Sequence, residues 1–316
     1  MEKIKPIPSN WNNQEATDYD RKVQTLSSAV EASRIKEIDF LGKRYYTAEY
    51  LEKANQELAE ILQKQTGESE ESAQLAEWEF VYALNHQETL PGCRARLASK
   101  YDDHRNGIDI ICTLADEQGI DYIFGIDVTT STLKDNIEKK FAQGDYPRAK
   151  GQVPAGCSFI KFYQDGNRHA CIKGVPRFIL GTSPLFNGHQ KYLDKFHIQA
   201  DGSVSHEPDP DLRFNILSSL LIQSHTLEHN LIKNPTGDDA VRERAIKTCS
   251  IVRSAAFDGL AELMQIPEGS NFSKLFDKKF NQNLRRAKAL KVNGHPDYSY
   301  NYLINEAMKR YHQAVQ

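Results

Sequence analysis

Two aspartates sit inside apolar runs that repeat one phrase, Gly107-Ile108-Asp109 and Gly125-Ile126-Asp127, within NGIDIICTLADEQGIDYIFGIDVTTST. A carboxylate removed from water is costly unless a metal ion or a cationic side chain compensates it. Two of them on adjacent antiparallel strands would approach each other and raise that cost. A divalent cation would remove it, since Mg²⁺, or Mn²⁺ in its place, favours one or two carboxylates together with waters and phosphate oxygens. A single aspartate of this kind could instead cap a turn through its own backbone amides. The pair points to chemistry because a helix with carboxylates precedes it and a helix with lysines follows it. Asp102 and Asp103, in the loop KYDDHRNG, offer two more carboxylates nearby.

Other constellations compete. His225-Thr226-Leu227-Glu228-His229 fits HxxEH, which on a helix places His225 and His229 on one face with Glu228 beside them, as in the inverted zinc proteases. Glu306 lies at about the downstream distance of a third ligand, but the segment between reads as helix where strands would be needed. Residues 272–292, FSKLFDKKFNQNLRRAKALKV, concentrate Lys274, Lys278, Lys279, Arg285, Arg286, Lys288 and Lys291 against one acid, Asp277. Such a run can follow phosphates, and Lys278, Lys279, Arg285, Arg286 and Lys288 are the expected nucleic-acid contacts. Arg94, Arg96, Lys100 and Arg105 form a second candidate contact.

The elements that must hold these residues divide into three stretches. Helices are expected over 14–34, 47–65 with Thr47 as N-cap, and 73–86 after the break TGESEES. The loop around Pro91 and Gly92 then leads to strands 107–114 and 120–129, joined by the turn Asp116-Glu117-Gln118-Gly119. A helix follows from Ser131 or Thr130 to near Gly144. Strands at 158–163 and 169–180 flank the turn Asp165-Gly166, with Pro176 placing the second at an edge or a break. From Asp211 the pattern is helical, over 211–233, 238–264, 272–291 and 298–314, with a loop at Gly294-His295-Pro296. Residues 1–68 and 186–316 read as helical regions around an α/β core at 69–185, the class being α/β in the α+β sense with a small mixed sheet.

The order helix, strand with Asp, strand with Asp, helix, strand resembles the PD-(D/E)XK nuclease superfamily over about residues 70–165. The resemblance implies a metal held by Asp109, Asp127 and a helix glutamate, either Glu77 or Glu79. It also implies a lysine two positions after the second acid, where this chain has Thr129. Some members take that lysine from the following helix, and Lys134 is the residue so placed here. The implied activity is metal-dependent cleavage of nucleic acid, DNA first, with Mg²⁺ or Mn²⁺ as cofactor. The rival reading is a catalytically silent scaffold of the same fold, and a zinc protease through His225, Glu228 and His229 stands third.

Bulk composition sets the limits. The chain of 316 residues has a net charge of -3 and a mean hydropathy of -0.61, so neither a polyanion-binding nor a membrane protein follows from it. Cys93, Cys112, Cys157, Cys171 and Cys249 form no CxxC pair and read as free thiols in a reducing compartment. No segment has the apolar length of a membrane span, and the expected location is the cytoplasm.

Overall fold

The computed structural model describes residues 46–64, 70–86, 89–129, 153–165, 168–181, 196–199, 204–206 and 210–265. It also describes positions 21–22, 24–26, 28–29, 32, 34–35, 140, 278, 291–292 and 295–296. The fold is mixed α/β. Helix α1 (Ala48–Lys64) and helix α2 (Glu70–Asn85) precede strands β1 (Cys93–Leu97), β2 (Ile110–Ala115) and β3 (Asp121–Thr129). Strands β4 (Cys157–Asp165), β5 (Arg168–Gly181), β6 (Phe196–Ile198) and β7 (Val204–His206) come next, then helices α3 (Pro210–Lys233) and α4 (Asp239–Leu263). Two short strands, β8 (Lys291–Val292) and β9 (His295–Pro296), pair with each other. β9 falls within the loop expected at 294–296, and β8 takes Lys291 out of the helix expected over 272–291.

Strands β1 to β5 form one sheet in the order β1-β2-β3-β5-β4. The first three make an antiparallel meander, β5 lies parallel to β3, and β4 is antiparallel to β5. The turn into β3 forms as its sequence suggests: the Asp116 carboxylate accepts the N–H groups of Gln118 and Ile120, and Gly119 adopts φ 75°. Thr47 caps α1 by accepting the Tyr50 N–H at 3.2 Å, and Asp238 caps α4 by accepting that of Val241 at 3.0 Å.

Strand β1 lies where only a loop was expected. Cys93, Ala95 and Leu97 point inward and Arg94 and Arg96 outward, so the alternation that defines the strand reads in sequence as a charged stretch. Arg94, a candidate phosphate contact, instead bridges Asp121 and Asp165 at 3.0 Å each. Strand β5 is not an edge strand, and Pro176 marks a change of partner. Residues 168–176 pair with β4, and the pairing with β3 begins at Arg177. The proline, which has no N–H, therefore falls where β5 leaves one ladder for the other.

Side-chain amides satisfy backbone groups at two strand positions left unpaired on one side. Asn85, at the end of α2, accepts the Ala95 N–H at 2.7 Å and donates to its carbonyl at 3.0 Å. Gln223, on α3, does the same for Ile179 at 2.8 Å in both directions. Each amide completes a backbone pair that a further strand would otherwise supply.

The larger core joins α2, one face of the sheet, α3 and α4 through Phe80, Leu84, Leu97, Ile110, Phe124, Phe178, Leu217 and Val252. A smaller cluster, with Ile108, Ile111, Ile160 and Val175, covers the other face. Phe124, Ile126 and Val128 of β3 belong to the first cluster, so the two-residue period turns Asp127 and Thr129 to the second face. Among the described residues, no helix is long and apolar enough to cross a membrane.

Candidate metal centre

The register of β2 on β3 answers for the repeated phrase. Ile110 pairs with Ile126, and one residue further along the same register Asp109 stands opposite Asp127. The Asp109 N–H donates to the Ile126 carbonyl at 2.9 Å, and one Asp109 oxygen accepts the Val128 N–H at 2.6 Å. The Asp109 carboxylate is thereby fixed at the mouth of the sheet, just before the β2 ladder begins.

Helix α2 brings Glu77 to this point. Successive helical residues turn by about 100°, so Glu77 and Glu79 point in nearly opposite directions. Only Glu77 joins the cluster: single oxygens of Glu77, Asp103 and Asp109 lie within 4.8 Å of one another. Glu79 is buried elsewhere in α2. Asp103 arrives on a π-helical turn, Asp102–Asn106, which ends at Gly107 in the left-handed region with φ 63°. Asp102 takes no part in the cluster. Its carboxylate accepts from Ser99 Oγ, Asn106 Nδ2 and the N–H groups of Lys161 and Phe162, and so pins the turn to β4.

Cations surround the acids. Arg34 lies 3.7 Å from Glu77 and 3.4 Å from Asp103, and donates to the Ala98 carbonyl at 3.2 Å. Asp127 is held by two cations, with Lys140 on one oxygen and Arg177 on the other. Arg177 also donates to the carbonyls of Gly107 at 2.8 Å and Lys140 at 3.1 Å. Lys140 donates to the Val128 carbonyl at 2.6 Å. Lys140, beyond the first turn of the helix expected from Ser131 or Thr130, is thus the lysine that the described residues place on Asp127. The carbonyl of Lys140 bonds to Arg177, which brings the chain back over the end of β3, and reach depends on that approach rather than on distance along the sequence. Lys134 lies outside the described residues.

Burial pushes Glu77 up to about 8, with Asp103 adding to the rise against the lowering by Arg34. Burial, then the facing Asp127, also drives Asp109 well above the usual carboxylate range. Burial would raise Asp127 as well, but Lys140 and Arg177 outweigh it and hold the carboxyl below its usual range. Asp103 and Lys140, with side chains 20% and 29% exposed, mark the open side of the centre.

The donor set fits a hard divalent cation. It offers three carboxylates and no thiolate or imidazole, and Glu77 Oε2 is buried with no hydrogen bond, Arg34 Nη2 facing it at 3.7 Å. HxxEH offers no such set: Arg253 donates to Glu228 and approaches His225 Nδ1 at 3.2 Å, so a guanidinium stands where zinc would need open ligands. Glu306 lies outside the described residues. Of the basic run, Lys278 is exposed, while Lys279, Arg285, Arg286 and Lys288 lie outside the described residues.

The sequence suggested Asp103 without separating it from Asp102, and it missed Arg34, Lys140 and Arg177. Only Arg177 had a signal comparable to that of the aspartates, a charge inside the apolar run VPRFIL. All five cysteines are free. No family model, no curated protein and no solved structure matches this chain.

Proposed function

We propose that this protein is a divalent-cation-dependent hydrolase of phosphodiester bonds in nucleic acid, with a centre like that of the PD-(D/E)XK nucleases. The observation that carries the reading is the convergence of Glu77, Asp103 and Asp109 beside Asp127, on a helix, a turn and two antiparallel strands. Lys140 next to Asp127 supports it, since this is a cation that Thr129 cannot supply.

Glu77, Asp103 and Asp109 would hold Mg²⁺ or Mn²⁺. The bound cation would supply Lewis acidity toward a phosphoryl oxygen and the attacking water. Lys140 donates to Asp127 and Val128 and has one further N–H, on the open side, to offer to charge developing on the phosphate. Arg177 keeps Asp127 ionised beneath it. The free thiols accord with a reducing, cytoplasmic setting.

The test is cleavage of single- and double-stranded DNA and RNA by purified protein with Mg²⁺ or Mn²⁺, against EDTA. Asp109→Asn should abolish cutting while the protein stays folded. A wild type that binds nucleic acid but cuts none with either metal would replace the hydrolase reading with the silent scaffold.

A further inference from the structure

We propose that the two strand aspartates do different work: the cation is held by Glu77, Asp103 and Asp109, while Arg177 reserves Asp127 for Lys140. This deepens the hydrolase reading, and only its kinetic arm rests on that reading.

The oxygens available to a metal decide the matter. Asp109 accepts the Val128 N–H on Oδ2 and has a carboxylate oxygen within the cluster. Glu77 is nine-tenths buried, and its Oε2 accepts no hydrogen bond. Both oxygens of Asp127 are already in ion pairs, with Lys140 on Oδ1 and Arg177 on Oδ2. Arg177 cannot follow Asp127 elsewhere, since its Nε and Nη1 are tied to the carbonyls of Gly107 and Lys140. A metal drawn to Asp127 would have to displace a cation whose side chain is 4% exposed and leave it without its counter-charge.

Charge leads to the same division. Three ionised carboxylates beside Arg34 leave two negative charges, matching one divalent cation. Asp127 between Lys140 and Arg177 leaves one positive charge, which suits a phosphate and repels a metal. Asp103 thus becomes the third ligand, and Asp127 becomes a positioning residue that sets the amine of Lys140.

The experiment measures Mn²⁺ binding alone, by calorimetry or the paramagnetic signal of free Mn²⁺, on the full chain, with every variant and the wild type at one pH. Glu77→Gln, Asp103→Asn and Asp109→Asn should each weaken binding at least about tenfold. Asp127→Asn should stay within about threefold of wild type while turnover collapses and the Mn²⁺ concentration for half-maximal rate holds. Lys140→Ala removes a partly exposed amine without stranding a buried guanidinium, and so serves if Asp127→Asn does not fold; its affinity should be unchanged or tighter. Loss of Mn²⁺ binding in Asp127→Asn or Lys140→Ala to the extent seen in Asp109→Asn would overturn the division, as would Asp103→Asn binding like wild type. The expected pattern in a protein that cuts nothing would support the metal assignment and defeat the hydrolase reading, whereas a wild type that binds no Mn²⁺ would defeat both.

Discussion

Asp102 and Asp103 are neighbours with the same side chain, yet their replacement should have opposite consequences. Asp102 is fully buried and satisfies the backbone of β4 where its pairing with β5 is interrupted. The register shifts between Ile160 and Tyr163, so the N–H groups of Lys161 and Phe162 look to Asp102, at 2.7 and 2.9 Å. Asp102→Ala leaves both without that acceptor. An unsatisfied buried donor costs about 1–3 kcal/mol, so the pair costs about 4 kcal/mol, offset in part because a buried charge is also removed. Asp102→Asn keeps one acceptor and turns an NH₂ toward the other donor, for about 2 kcal/mol. Among the described residues, Asp103 has the partly exposed pairing with Arg34 to lose and gains relief from Glu77 and Asp109. Asp103→Asn should therefore change stability by less than about 1 kcal/mol in either direction. The assay is urea unfolding of metal-free protein, comparing midpoints at unchanged slope. An Asp102→Ala protein within about 1 kcal/mol of wild type, or an Asp103→Asn protein that proves the less stable of the two, would refute this division of roles.

Two further outcomes are expected. Metal-free protein should lose stability as pH rises from about 4.5 to about 8. Folded Glu77 keeps its proton through that window and an unfolded glutamate does not, so the stabilisation is complete below the window and gone above it; Asp109 acts in the same direction. Melting temperature against pH in EDTA tests this, and a curve that rises through the window would contradict it, while saturating Mn²⁺ should reduce the loss by binding the ionised form. Gln223→Ala should cost about 1–3 kcal/mol and speed hydrogen exchange at Ile179, because its amide supplies both backbone partners there; unchanged exchange would show that water substitutes for it.

The sequence disclosed what depends on local pattern. Strands β2 and β3, their Asp116 turn, the β4–β5 hairpin and helices α3 and α4 follow from alternation, turn chemistry and helical spacing, so the mixed α/β class was legible. Strand β1 was hidden because its outward positions are arginines, and period two with charges reads as loop. The acidic cluster was half legible for the same reason. An aspartate in an apolar strand announces itself, whereas Asp103 and Lys140 are ordinary surface letters until the chain is folded. Arg177 is the intermediate case, because a charge in an apolar run signals a buried partner but does not name it. The side chain of Lys161 carries a similar signal in FIKFYQ and finds a different answer, over the ring of Tyr101 at 4.1 Å and beside Glu57 at 3.8 Å.

The repeated Gly-Ile-Asp is not a structural repeat, and the differences between its copies explain why the aspartates part company. Gly107 closes the π turn at φ 63°, a conformation that favours glycine. Gly125 lies inside β3 and leaves room for Ile108, which would stand 3.0 Å from any added Cβ. Ile108 packs on one face of the sheet and Ile126 on the other. The aspartates meet because the antiparallel register sets them opposite each other. Beyond that meeting their surroundings diverge. Asp109 leaves the turn beside α2 and so gains acidic company in Glu77 and Asp103. Asp127 lies on the strand that borders β5 and so gains Arg177 and, through it, the chain at Lys140. Identical side chains a few ångströms apart are thus pushed in opposite directions, Asp109 toward holding a proton or a metal and Asp127 toward permanent ionisation. Under the proposed function such a split would serve phosphodiester hydrolysis, with one carboxylate to bind the cation and one to hold a positive group where charge would develop.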